Sequence, residues 1–277
     1  MNKDSITQKL RNKAKELDLN YNLVLSKFFF DEFLKIISVS VHRENFMLKG
    51  GMLLTFSLGV QNRSTQDIDF LVKGFPIETV KLKKFLEEIL GDTNKKDIWF
   101  EINDTANEIR AEDKYGGIRF HVIGHLENIR IPFSIDIATG DPIYPLPKLE
   151  RYSTILGDNI ELNMYPLETV LSEKLQTILT RAEINSRSKD FYDIYAILKN
   201  KFEVINIKEL KVAVSMTFSY RKTEVSKDKA KVIVSHINKD SLVIERWKRY
   251  QNKNPYAKGI EFSEIIESLN TLIEIVM

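Results

Sequence analysis

"NFMLKGGMLLTFSLGVQNRSTQDIDFLV", residues 45–72, decides how this chain is read. "NFMLKGG" is a short apolar stretch broken by Gly50 and Gly51. "MLLTFSLG" has the length of two helical turns and stops at Gly59, a natural helix end. "VQNRSTQ" reads as a polar loop leading into the strand "DIDFLV". A strand sends alternate side chains to opposite faces, so Asp67 and Asp69 leave the same face as neighbours. Like charges that close repel and cost stability. A divalent cation between them gives the pair a use, because Mg²⁺ takes hard oxygen ligands and keeps water and substrate phosphates in its shell. Two adjacent glycines before a helix also let backbone amides come close to a phosphate. Each feature alone has a plain explanation: a chance Asp-x-Asp on a surface strand, and a tight turn.

Working outward, residues 5–18 read as a short polar helix. In residues 21–41, Leu25, Phe28, Phe29, Phe33, Ile36 and Ile37 recur at three- and four-residue steps, which is helical spacing. Helical spacing returns over 76–90. Residues 97–137 look β-rich, with strands at 118–123 and 129–137 and "KYGGIR" as a hairpin turn. From Pro166 the character changes to amphipathic helix, first in "PLETVLSEKLQTILTRAE" and then in "RSKDFYDIYAILKN". The expected architecture is α/β (α+β): a mixed sheet flanked by helices, followed by a helical C-terminal lobe. The boundary is placed at 160, giving a 1–160 domain with N-terminal helices and a 161–277 helical domain.

Three further features give the aspartate pair company. Asp136 in "IPFSIDIATGD" sits between Ile135 and Ile137, where a carboxylate is costly unless paired or metal-bound. It could join the metal site or deprotonate an attacking hydroxyl; Asp141 reads as a turn residue. Lys174 lies between Leu171 and Leu175, at the edge of a buried face, where it could serve as a fixed charge for phosphate. Its plain alternative is a surface ion pair with Glu173 or Asp190. In the following helix, Lys189, Asp190 and Asp193 are spaced to share one polar face. Together these residues suggest metal-dependent nucleotidyl transfer, in which placement and charge neutralisation do most of the work.

Two blocks carry a resemblance: "FMLKGGMLLTFSLGVQNRSTQDIDFLV" and "LETVLSEKLQTILTRAEINSRSKDFYDIYAI". In this order they resemble the AbiEii/AbiGii-type nucleotidyltransferase toxins, a branch of the DNA polymerase β-like nucleotidyltransferase superfamily, over roughly residues 8–275. The resemblance implies metal aspartates at Asp67 and Asp69, a third acidic position at Asp136, and a glycine motif at Gly50 and Gly51. It places Arg63 and Ser64 in a phosphate-facing loop. It implies a catalytic lysine at Lys174 and a helix motif at Arg187, Lys189, Asp190 and Asp193, with Asp190 favoured for the direct role and Lys189 for nucleotide contact. Many superfamily members have Gly-Ser where this chain has Gly50-Gly51, so a hydroxyl contact would come from elsewhere, with Ser64 the candidate.

The same resemblance implies Mg²⁺ as cofactor, a nucleoside triphosphate such as GTP or CTP as substrate, and a separately encoded antitoxin as partner. It implies a toxin–antitoxin or phage-defence (abortive infection) role, with the tRNA 3′ end as the favoured acceptor and a protein side chain, in AMPylation-like transfer, as the alternative. Composition is compatible. The chain of 277 residues is 43% hydrophobic and 29% charged, carries a net charge of +2 and has no cysteine, which excludes disulfides and thiolate metal sites. No apolar run reaches a membrane span, so a cytoplasmic location with no membrane partner is expected. Residues 199–258 hold fifteen Lys and Arg against six Asp and Glu, a net of +9 that leaves −7 for the rest. A basic lobe of that kind suits a polyanion, although many solvated lysines would look the same.

Two other classes compete. One is a non-catalytic nucleotide-binding module that regulates a partner; the retained Asp67, Asp69 and Lys174 argue against it. The other is an aminoglycoside-type transferase, which would want an acidic acceptor cleft. His121 and His125 in "HVIGH" have the spacing of a helical metal pair, but the segment is strand-like and a structural role is favoured.

Overall fold

The computed structural model describes residues 3–74, 78–91, 97–109 and 116–277. The chain packs into two units, one of residues 1–141 and 148–164, the other of residues 142–147 and 165–277.

The first unit opens with helices α1 (Lys3–Leu17) and α2 (Tyr21–Val39). Strand β1 (Phe46–Lys49), helix α3 (Gly50–Leu58), strand β2 (Asp67–Val72) and helix α4 (Thr79–Leu90) follow. Then come β3 (Ile98–Ile109), β4 (Gly117–Leu126), β5 (Ile129–Ala138), β6 (Lys148–Ser153) and β7 (Asn159–Met164). Among the described residues the strands form one seven-stranded sheet in the order β3-β4-β5-β2-β1-β7-β6. It is mixed: β2 runs parallel to β5 and β1 parallel to β7, while the other neighbours are antiparallel. The turn expected at "KYGGIR" lies partly outside the described residues, as does the start of the helix expected from residue 76.

Period-two alternation splits the central sheet into two chemically different faces. One carries Ile68, Phe70, Phe120, Val122, Phe133, Ile135 and Ile137, all buried. Helix α2 lies on this side. Phe29 and Phe33 set their rings edge-on to Phe100, and Phe30 and Phe33 pack against Phe133. Phe28, Phe29 and Phe30 are all buried although they point in three directions, the mark of a helix enclosed on several sides. Gly124 belongs to the same fit, since a Cβ there would lie 2.4 Å from the Phe29 ring. No bulge interrupts β4 at this glycine: its register with β5 is continuous from Gly117 to Leu126. His121 and His125 therefore share a face, but four strand residues separate them by roughly 13 Å. His125 instead stacks on Trp99, with ring centroids 3.7 Å apart. A buried polar knot ties α2 to the far end of the sheet. Asp31 accepts hydrogen bonds from the Lys27 ammonium, the Tyr152 hydroxyl and the Ile155 amide. Burial lowers the Lys27 pKa and raises that of Tyr152.

Strand β6 shows no apolar alternation, whereas β7 alternates Ile160, Leu162 and Met164 with polar residues; neither is among the strands expected from sequence. Only Tyr152 of β6 is buried, as suits a short polar edge strand.

The second unit is helical: α5 (Leu167–Arg181), α6 (Ser188–Lys201), α7 (Ile207–Tyr220), α8 (Lys227–Lys239), α9 (Ser241–Lys253) and α10 (Phe262–Val276). Pro166 stands at the N-cap of α5, where its missing N–H costs nothing. The core is built from Leu171, Leu175 and Ile178 of α5, Ile194 of α6, Leu210 of α7 and Leu269 of α10, all fully buried. The hydroxyls of Ser172 and Thr217 pair 2.8 Å apart inside it.

Candidate active site

The second face of the sheet is polar where the first is apolar. Register sets this: Asp67 is paired with Ser134 and Asp69 with Asp136 across β2 and β5, and Arg119 with Asp136 across β4 and β5. Paired residues point to the same side, so three carboxylates separated by up to 69 positions in sequence meet on one face. Asp67, Asp69 and Asp136 each offer an oxygen, and these oxygens lie within 4.8 Å of one another. All three residues are half-buried.

Each carboxylate is held by different means. Asp67 Oδ1 accepts a 2.6 Å hydrogen bond from the Thr65 hydroxyl. Asp69 Oδ2 accepts from the Gly51 amide at 3.2 Å, at the start of α3, where the helix dipole favours a negative group. Asp136 is gripped by both arms of Arg119, Nε to Oδ1 at 2.7 Å and Nη2 to Oδ2 at 2.6 Å. Arg119 Nη2 also lies 4.0 Å from Asp67 Oδ2. The hydrogen bonds to Asp136, with the nearby aspartate charges, raise the arginine's pKa still further.

The glycine pair makes room for these groups. Gly50 has a left-handed φ of +62°, and a Cβ there would fall 1.9 Å from Asp69 Oδ2. A Cβ on Gly51 would fall 2.4 Å from the Thr65 hydroxyl oxygen. Within the described residues, what crowds the glycines is thus the aspartate and threonine side chains. Lys49, opposite Asp69 in the register, is buried and pairs with Asp141 at 3.0 Å. Asp141, read from sequence as a turn residue, is therefore the partner of a buried lysine. Arg63 is buried in the loop before β2, and its guanidinium donates to the Ser64 carbonyl.

On the other flank of the triad lies a cavity of about 640 Å³, walled by the start of α2, the loop Ser64–Gln66, and parts of β3, β4 and β5. Ser64 belongs to this cavity wall.

Lys174, Asp190 and Asp193 form a separate cluster in the second unit. Lys174 Nζ donates to Asp190 Oδ1 at 2.8 Å and to Asp193 Oδ2 at 2.6 Å. Arg187 Nε lies 3.0 Å from Asp190 Oδ2, close but poorly aligned, so that oxygen has no hydrogen-bond partner among the described residues. Burial pulls the Lys174 pKa down, but the two aspartates outweigh it and the net direction is up. The expected polar face of α6 is corrected here. Asp190 and Asp193 are buried, at 1% and 0% exposure, while Lys189 stays exposed and outside the cluster. A surface ion pair for Lys174 is corrected likewise: the pairing is buried and has two aspartate partners. Sequence reasoning missed Arg119 and Thr65. The alternation in "IRFHVI" places Arg119 and His121 on one face, but only the register with β5 brings Arg119 to Asp136.

Comparison with known proteins agrees with this architecture. The sequence pattern of the family described as "Nucleotidyl transferase AbiEii toxin, Type IV TA system" matches residues 32–268. Two similar solved structures come from Helicobacter pylori. One is a candidate nucleotidyltransferase, 14% identical with a TM-score of 0.50, covering 93% of this chain and 96% of that one. The other is JHP933, 13% identical with a TM-score of 0.53, covering 93% of both chains. At these identities the likeness speaks for the fold. No curated protein sequence matches.

Proposed function

The chain belongs to the AbiEii nucleotidyltransferase toxin family of type IV toxin–antitoxin systems, and from that premise we propose that it transfers a nucleoside monophosphate from a nucleoside triphosphate to the 3′ hydroxyl of tRNA, breaking the α–β phosphoanhydride and releasing pyrophosphate, with Mg²⁺ bound at Asp67, Asp69 and Asp136. The observation that carries the reading is the convergence of these three carboxylates within 4.8 Å beside the Gly50–Gly51 helix start.

The donor set fits the ion. It is all oxygen and all carboxylate, the preference of a hard divalent cation. A carboxylate offers about four lone-pair positions, so Asp136 can serve Arg119 and still face the ion. Magnesium, when bound, would supply positive charge against the triphosphate and hold its oxygens in place.

The chain's own groups do the rest. Thr65 and the Gly51 amide fix the two β2 carboxylates in one orientation. Arg119 keeps Asp136 aimed at them and brings a permanent positive charge beside the reacting phosphates. Lys174 and Asp190 are proposed as the functional residues of the second unit, with Arg63, Ser64 and Lys189 as nucleotide contacts. A tRNA acceptor is supported by the +9 balance of residues 199–258. A cytoplasmic toxin opposed by its cognate antitoxin, acting in phage defence, completes the reading. Among the described residues no helix is long and apolar enough to cross a membrane.

The test is incubation of purified protein with Mg²⁺, each α-labelled nucleoside triphosphate in turn, and total cell RNA plus protein, beside Asp67→Ala. Label in tRNA-sized RNA with the wild type alone is the expected result and names the nucleotide. Label in a protein band moves the acceptor to a protein side chain. Saturable nucleotide binding with no transfer to either would favour a regulatory module.

A further inference from the structure

We infer that the cavity beside the triad is a nucleobase pocket, and that it receives the base of the acceptor's terminal nucleotide. The inference rests on the transferase reading and deepens it.

The cavity exists because two paired strands differ in length. β2 begins at Asp67, opposite Ser134, whereas β5 begins five residues earlier at Ile129. Among the described residues no strand covers the β2-facing edge of Ile129–Phe133. The opening is enlarged by a bulge in β3, where Ile102 pairs with Val122 but Ala106 pairs with Phe120, so three β3 residues stand opposite His121 alone. Bulges of this kind concentrate next to active sites and re-aim side chains. Here the bulge turns Asn103 into the cavity wall.

The lining describes the occupant. Among the described residues none of the walls carries Lys, Arg, Asp or Glu, although three aspartates and an arginine stand next door. A phosphate or a cationic substrate would find no counter-charge. Phe30 and Phe133 supply apolar wall, while Ser26, Gln66, Asn103, His121 and Ser134 supply polar donors and acceptors. Apolar surfaces with a few converging polar groups are the usual make-up of a small-molecule site, and about 640 Å³ is within its usual range. His121 is held by both ring nitrogens, Nε2 at 3.0 Å from Asn107 Nδ2 and Nδ1 at 3.4 Å from Ser134 Oγ. Gln66 and Asn103 have no side-chain hydrogen bond among the described residues, so their amides remain available for a base edge. A neutral, planar, hydrogen-bonding heterocycle matches this chemistry.

Position separates acceptor from donor. In the sheet order β3-β4-β5-β2-β1, the glycine turn follows β1 on one flank of the aspartates. The cavity lies on the other flank, at the open edge of β5, where Phe30, Val122 and Phe133 of the apolar face and His121 and Ser134 of the triad's face line it together. In phosphoryl-type transfer the attacking and leaving oxygens are roughly in line across phosphorus. A triphosphate at the glycine turn therefore puts the acceptor on the cavity side. Thr65 links the two, lining the cavity and bonding Asp67.

The test measures binding of adenosine, cytidine, guanosine and uridine to the full chain by saturation-transfer NMR, without Mg²⁺ or triphosphate. At least one should bind saturably. Ser134→Leu, which fills the cavity from β5, and Ser26→Leu, which fills it from α2, should each weaken binding about ten-fold or more. His121→Ala widens the cavity instead of filling it, and should also weaken binding, which guards against a filled variant that does not fold. Absence of saturable binding by all four nucleosides overturns the pocket, as does wild-type binding in all three variants. Displacement of the nucleoside by Mg²⁺-triphosphate assigns the pocket to the donor base and overturns the acceptor assignment. Nucleoside binding without label transfer would sink the transferase reading and leave the pocket standing; transfer at wild-type acceptor KM in the filled variants would do the reverse.

Discussion

Among the described residues, three aspartates of the first unit gather round Arg119, and two aspartates of the second gather round Lys174 and Arg187. The first group is half-buried with more carboxylate than cation, and it is built on strands whose opposite face is the hydrophobic core. The second is balanced, and its carboxylates are sealed from solvent. Excess negative charge at a partly open site can accept a cation from outside. A buried, self-neutralised cluster has its charges committed to each other, and losing one partner leaves the rest stranded in a medium that solvates them poorly. The two clusters should therefore fail differently: loss of a group from the first should cost chemistry alone, and loss from the second should cost stability whatever it also costs in chemistry.

The largest expected effect tests that contrast directly. Asp193→Ala or Lys174→Ala should destabilise the fold by about 3–5 kcal/mol, because each leaves uncompensated charge in the interior. Chemical denaturation reads this as a lower midpoint at unchanged slope. Near-wild-type stability in both would break the comparison. Next, Asp67→Ala or Asp69→Ala should cut nucleotide transfer by about 10²–10³-fold or more. Thermal melting should stay the same or rise, since one of several repelling charges is gone. A variant that melts early would make the triad structural.

Smaller is Gly50→Ala. A side chain in the left-handed region costs about 1–2 kcal/mol, and here the added methyl also displaces Asp69. Stability should fall by about that amount and transfer should fall with it, whereas an alanine at Gly157, also at positive φ but with open space around its Cβ, should show the stability loss alone. The smallest effect is alkaline. Lys174 has a folded pKa raised above its ordinary value, so its stabilising share is complete below the ordinary lysine range and is lost as pH rises through the folded value. Lys174→Arg, which does not titrate there, should flatten the alkaline limb of stability against pH; an unchanged limb would mean that the lysine's charge contributes little.

Much of this contrast was legible in residues. Alternation in "DIDFLV" put Asp67 and Asp69 on one face, and the isoleucines around Asp136 marked a carboxylate that needed a partner. The periods of α5 and α6 located Lys174, Asp190 and Asp193. What stayed hidden depended on register and on long-range closure. Arg119 meets Asp136 only because β4 and β5 pair with no slip, and periodicity within one strand carries no information about its neighbour's offset. The cavity arises from unequal strand lengths and a bulge, neither of which leaves a compositional trace. Strand β6 lacks an apolar face, while the alternation of Ile160, Leu162 and Met164 in β7 is legible but spans only six residues. The face of α6 was misread because spacing places Asp190 and Asp193 together but does not tell a solvated side from a buried, neutralised one.

The parallel pairing of β1 with β7 also has a consequence for the timing of synthesis. Phe46 opens a strand whose outer neighbour ends at Met164, so the sheet that aligns the aspartates is incomplete until that residue has left the ribosome. At roughly 5–20 residues per second, this span takes about 6 to 24 s to make. For that interval β1 has its partner β2 but not β7, so its outer edge stays open to any other strand that can pair with it.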